Sequence, residues 1–222
     1  MLSRRNLSRY RNERDQLWVN VASSFLAQEG FVNLDRSVFL ALTPMYPVLG
    51  RLLSPGHADL VRKLWKGRRR APLFWFDCRK PLPFEARSVD HILCSHYLEH
   101  LPPPTAERIL ADYARVLRPG GTLHVILPDL RYSIDRYVTG EMDADEMLQW
   151  QHMRKVEGLR WRTKVVDAVA GLGIEHQWMY DRRTAERRIL GAGFKLTDRA
   201  TPSSDFRRDD PESMHLFGFV PA

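Results

Sequence analysis

The chain has 222 residues, of which 44% are hydrophobic, enough to bury a good core in a single α/β domain. Its 34 basic and 27 acidic residues leave a net charge of +7, which permits an anionic partner without specifying one. No apolar run approaches the length of a membrane span, and two cysteines give neither a disulfide framework nor a zinc pattern.

Residues 1 to 15 are polar and Arg-rich, and read as a flexible basic N-terminus rather than a secretory leader. Leu17 to Ala22 (LWVNVA) is apolar enough for a short buried strand, and Phe31 to Leu34 gives a second that ends at Asp35. Residues 37 to 70 read as mostly helical, broken by Pro44, Pro47 and Pro55-Gly56. Leu73 to Phe76 and Val89 to Cys94 are the third and fourth strands. A polar cluster, Ser95-His96-Tyr97-Leu98-Glu99-His100, follows the fourth.

The clearest helix is expected from about Pro104 to Leu117. Ile109, Leu110, Tyr113, Val116 and Leu117 fall on one stripe, and Pro119-Gly120-Gly121 marks the end. A continuous apolar strand, Thr122 to Leu127, comes next, as a sheet covered on both faces demands. Residues 131 to 170 are helical in pattern and rich in charge. A helix over 181 to 192 and strands over Phe194 to Asp198 and Met214 to Val220 complete the chain. Strands alternating with helices predict one doubly wound, mostly parallel sheet. The stretches 37 to 70 and 131 to 180 are expected to be helical insertions or a cap on a single domain spanning 1 to 222.

The order PLPF, SVD, SHYLEH, LRPGG between Pro81 and Gly121 resembles the class I S-adenosylmethionine-dependent methyltransferases. The resemblance covers nearly the whole chain and is dense from 77 to 129. It implies a Rossmann-like methyltransferase fold of seven strands whose last strand is inserted antiparallel, with S-adenosylmethionine as cofactor. It also implies a cofactor site carried by Asn20, Ala22 and Ser24 after the first strand, and by Asp35 after the second. Asp77 and Cys78 after the third strand and Ser95 after the fourth complete that site. In the first motif, VNVASS (Val19 to Ser24), Ala22 and Ser24 stand where glycines are usual. Asp35 would accept hydrogen bonds from ribose hydroxyls, Asp77 would meet the adenine amino group, and Ser95 would lie near the methionine end.

Methyl transfer from a sulfonium is an in-line displacement, so the protein mainly aligns donor and acceptor. An oxygen or nitrogen acceptor also needs a base, for which His96 and His176, in GIEHQWMYD, are the candidates. Tyr180 offers a further hydroxyl, and Trp178 is expected to pack. Glu99 and His100 are expected to pin the strand-to-helix turn by hydrogen bonding. No histidine pair shows convincing metal-ligand spacing, so no metal is expected. The expected function is methyl transfer to a small-molecule or saccharide-type acceptor. The alternatives are a catalytically inactive binding protein of the same fold and an RNA-directed methyltransferase. The only compact basic run is Lys66 to Arg70, which reads as a solvated loop, so nucleic acid is not favoured as a partner. The cysteine usage suggests a reduced, cytoplasmic protein.

Overall fold

The computed structural model describes residues 10–24, 26–37, 40, 43–45, 55–150 and 176–222. The expected helical segments at 46–54 and 151–175, and most of the basic N-terminus, lie outside the described residues.

Seven strands form one sheet: β1 (Trp18–Val21), β2 (Phe31–Asp35), β3 (Leu73–Trp75), β4 (Val89–Ser95), β5 (Leu117–Pro128), β6 (Lys195–Leu196) and β7 (Ser213–Phe219). Their order is β3-β2-β1-β4-β5-β7-β6. The pairs from β3 to β5 are parallel, and β7 runs antiparallel to both neighbours. This is the doubly wound sheet with an inserted antiparallel strand that the sequence predicts. The chain leaves β1 toward β2 on one side and returns to β4 on the other. The carboxyl ends of β1 and β4 therefore flank the switch point, where open α/β sheets bind ligands.

The helices are α1 (Pro55–Arg70), α2 (Pro103–Val116), α3 (Leu130–Val138), α4 (Ala144–Trp150) and α5 (Arg182–Gly191). Pro55-Gly56, read as a break, instead opens α1; proline suits a first helical turn, where its missing N–H costs nothing. The stripe on α2 buries Ala106, Ile109, Leu110, Tyr113 and Val116 against Val19, Ile92, Cys94, Leu123 and Val125 of the sheet. Each such aliphatic side chain contributes roughly 1.5–3 kcal/mol of transfer free energy. The PLPF strap is clamped to the same helix: Leu82 N–H donates to Asp112 at 2.6 Å, and Arg115 donates to the carbonyls of Leu82 and Phe84. Leu82 and Phe84 are buried, as expected. No helix among the described residues is long and apolar enough to cross a membrane.

Three local features stand out. Pro119-Gly120-Gly121 is a bulge inside β5 rather than a turn before it, with Leu117 already paired to Val89. Gly120 has φ +76°, and a Cβ on Gly121 would lie 2.8 Å from the Arg118 carbonyl, so glycine fits both places. No helix joins β1 to β2 among the described residues; a short loop does, held by Asn20 and Asn33. Tyr10 and Arg11, in the stretch expected to be flexible, are tied down. Tyr10 stacks edge-on to Phe74, and Arg11 lies 3.7 Å from the buried Asp90.

The loop after β6 covers the second face of the sheet. Phe206 packs on Phe31, Leu93 and Ile126. Beside it, Ser203 Oγ joins His91 Nε2 (2.7 Å) and His124 Nδ1 (2.8 Å). Thr122 holds the other His91 nitrogen at 2.8 Å, and His215 Nδ1 meets His124 Nε2 at 3.0 Å. Burial pushes both His91 and His124 down to about 3, so the rings are neutral and structural.

Candidate functional site at the carboxyl ends of β1, β2 and β4

The turn after β1 takes a glycine-like path without glycine. Ala22 has φ +53° and Ser24 φ +47°. Left-handed conformations cost an L-residue roughly 1–2 kcal/mol each, and such strain clusters at functional sites. The turn is held from β2: Ser23 N–H donates to the Leu34 carbonyl at 3.0 Å, and Ser24 N–H to Asp35 Oδ2 at 2.8 Å. Asp35 Oδ1 accepts from Ser37 N–H at 2.7 Å. Burial raises the Asp35 carboxyl above its ordinary range, while these amides and Arg36 oppose the rise.

Asn20 does not share in this turn. Its amide donates to Asn33 Oδ1 (2.9 Å) and the Leu26 carbonyl (3.1 Å), so it fixes the loop from beneath. Asp77 lies past β3, gripped by Arg79 through two charge-assisted bonds of 2.9 and 2.7 Å. That guanidinium holds the Asp77 carboxyl below the usual range. Cys78 is fully packed against the core and its thiol is pushed up by burial.

Ser95 closes β4. Its hydroxyl is buried and has no hydrogen-bond partner among the described residues, and neither has Ser23 Oγ. A buried orphan hydroxyl costs about 1–3 kcal/mol, so both are poised to receive a ligand atom. His96 follows at φ +49°, with its amide on the Ile126 carbonyl and Nε2 2.9 Å from Ser213 Oγ. Its Nδ1 lies 3.4 Å from Glu99 Oε1.

Glu99 is 0% exposed, and neither of its carboxylate oxygens has a hydrogen-bond partner among the described residues. The expected pinning role thus belongs to its backbone rather than its side chain. The Glu99 carbonyl accepts from Gln177 N–H (2.8 Å) and Trp178 N–H (3.0 Å). That clamp lays the 176–178 segment against the turn and sets the His176 ring 5.0 Å from the His100 ring. Glu99, His100 and His176 each present a donor atom within 4.8 Å of the others. Trp178 is 43% exposed rather than packed, because the clamp turns this segment outward. Tyr180 is buried, with its phenol raised to about 12 by desolvation, and its backbone bridges to Asp129 and Leu130.

Both histidines expected from the sequence therefore border one carboxylate. The residues that the sequence did not single out for chemistry are Glu99 itself and Ser213. Ser213 is 117 positions from His96, with no local pattern to flag it.

Residues 41–125 match the model of a family described as a methyltransferase domain. That segment spans β3, β4, α2 and most of β5, and the sheet around it has the expected order. Over those residues the chain is similar to that methyltransferase domain, and the strand order is that of a Rossmann-like methyltransferase fold. The match begins after β2, so the Ala22–Ser24 turn and Asp35 lie outside it.

Solved structures similar to this chain bear on the fold alone. One is the complex between the Haloferax volcanii Trm112 methyltransferase activator and a methyltransferase, at 14% identity, 93% of this chain, 83% of that chain and a TM-score of 0.48. Another is an O-methyltransferase family protein from Burkholderia thailandensis, at 14% identity, 93% of this chain, 51% of that one and a TM-score of 0.48. A third, from Bordetella parapertussis and described as a possible exported protein, has 12% identity, 99% and 66% coverage and a TM-score of 0.50. The chain thus spans about half to four fifths of these neighbours. No curated protein matches it in sequence.

Proposed function

We propose that this protein is an S-adenosylmethionine-dependent methyltransferase whose acceptor is a small molecule or a saccharide-type compound. The observation that carries the reading is the turn after β1, which keeps left-handed φ at both Ala22 and Ser24 and is laced to Asp35. Left-handed φ at non-glycine residues persists only where the surroundings hold it, and it clusters at ligand sites. The orphan hydroxyls of Ser23 and Ser95 lie beside it, at the ends of β1 and β4, and suit the polar methionine end of the cofactor.

In this reading the amides of 22 to 24 approach the methionine part, and Asp35 receives the ribose hydroxyls with the lone pairs that Ser24 and Ser37 leave free. Asp77 and the backbone of Cys78 meet the adenine. When bound, S-adenosylmethionine supplies a methyl group activated by a positively charged sulfur. The protein's own task is then to align the acceptor and take its proton. His96 is placed for the proton, with Nε2 now holding Ser213 and Nδ1 facing Glu99. His176 lies farther round the same carboxylate.

One observation favours a second reading, a binding protein with the methyltransferase fold: the Asp77 carboxylate is already gripped by Arg79. Calorimetric titration with S-adenosylmethionine and S-adenosylhomocysteine separates the two. The expected result is micromolar binding that weakens at least tenfold in Asp35→Ala. A folded protein that binds neither compound up to millimolar concentration would sink the enzyme reading.

A further inference from the structure

A fully buried carboxylate with no donor on it is costly unless a positive charge neutralises it. Glu99 is such a carboxylate, at 0% exposure and with both oxygens unmatched among the described residues. Three imidazoles stand beside it, with Cys94 and Tyr180 also near. His100 and His176 offer donor atoms within 4.8 Å of a Glu99 oxygen and of each other, their rings tilted at 69°. From the other side, His96 Nδ1 stands 3.4 Å from Oε1.

We propose that Glu99, His100 and His176 form a binding site for a divalent transition-metal ion, with zinc the best fit. Two imidazoles and one carboxylate are a borderline-soft set, which selects zinc over magnesium or calcium. Three protein donors also leave a tetrahedral ion one open position for water or an acceptor oxygen. Donors around zinc stand about 3.4 Å apart, so the three must close by about 1 Å, within reach of side-chain rotation. The backbone is already fixed for this. The Glu99 carbonyl, held by the amides of 177 and 178, anchors the distant His176 beside a turn that brings Glu99 and His100. The ion would replace the missing donors on Glu99 and give this end of the sheet a Lewis acid close to Ser95 and His96.

This inference does not rest on the cofactor reading and is tested without cofactor. Chelator-stripped, full-length protein is dialysed against zinc, and bound metal is measured by elemental analysis. The expected result is one zinc per chain at micromolar affinity or tighter, weakened at least tenfold in both Glu99→Gln and His176→Ala. Cobalt(II) added to the unmodified protein should give the visible absorption of a four-coordinate site, a readout that needs no variant to fold. Absence of stoichiometric zinc and of that absorption overturns the proposal, and leaves His96 as the group that neutralises Glu99. Equal zinc affinity in the folded variants also overturns it, since the metal would then sit on other histidines.

Discussion

Two clusters containing histidines lie on strand β4 and just past its end, and they differ in how their polar atoms are matched. Around His91, the rings of His91 and His124 have every nitrogen engaged, by Thr122, Ser203 and His215. Around Glu99, four residues further on from Ser95, the carboxylate accepts no hydrogen bond among the described residues, and His96 Nδ1 stands 3.4 Å away. The first cluster satisfies both nitrogens of His91 and His124, leaves His215 Nε2 unmatched at its edge, and glues the loop over residues 201 to 206 onto the sheet. The second is open, and it sits at the carboxyl end of the strand, where this fold binds ligands. Burial alone does not mark a site; burial without satisfaction does.

Acid gives the largest contrast between the clusters. Burial holds the folded pKa of His91 and His124 near 3, below the ordinary 6.5 of the unfolded chain. Between those values the unfolded chain binds more protons, so stability is fully present above pH 6.5 and is lost as pH falls toward 3. The expected slope is on the order of 1 kcal/mol per pH unit for each ring. His215 is lowered in the same direction by burial, with Arg208 adding to the effect and Asp210 opposing it. Urea denaturation across pH 7 to 4 reads this directly, and a flat profile would break the assignment.

Ser203→Ala comes next. It strips one partner from both His91 and His124, at about 1–3 kcal/mol for each buried group left unmatched. An unchanged denaturation midpoint would mean that water replaces the hydroxyl. The smallest effect sharpens the comparison from the other side. In metal-free protein, Glu99→Gln keeps the size of the side chain and removes no hydrogen bond among the described residues, so stability should change by less than about 1 kcal/mol. A large loss in chemical denaturation would show that the carboxylate is matched in solution and close the distinction between the two clusters.

Much of this was legible in the sequence. Val89 to Cys94, the stripe on α2 and Thr122 to Leu127 are local patterns, set by apolar runs and by proline and glycine at their ends. They gave the sheet and the polar cluster at Ser95, while the antiparallel last strand came only from the resemblance to a family. The left-handed turn at Ala22 and Ser24 was legible only as a departure from glycine, because a φ angle is not written in side-chain pattern.

The tertiary structure decided the rest, and for one physical reason. The groups that define the two clusters are joined by hydrogen bonds and close contacts across large sequence separations, which no local periodicity encodes. Ser203 reaches His91 over 112 positions, Ser213 reaches His96 over 117, and His176 reaches Glu99 only because two backbone amides seize its carbonyl. The sequence by itself determined that Ser95 to His100 would be a polar cluster at a strand's end. Only the packed sheet determined that its carboxylate would be buried beside imidazoles with no hydrogen-bond donor on it among the described residues.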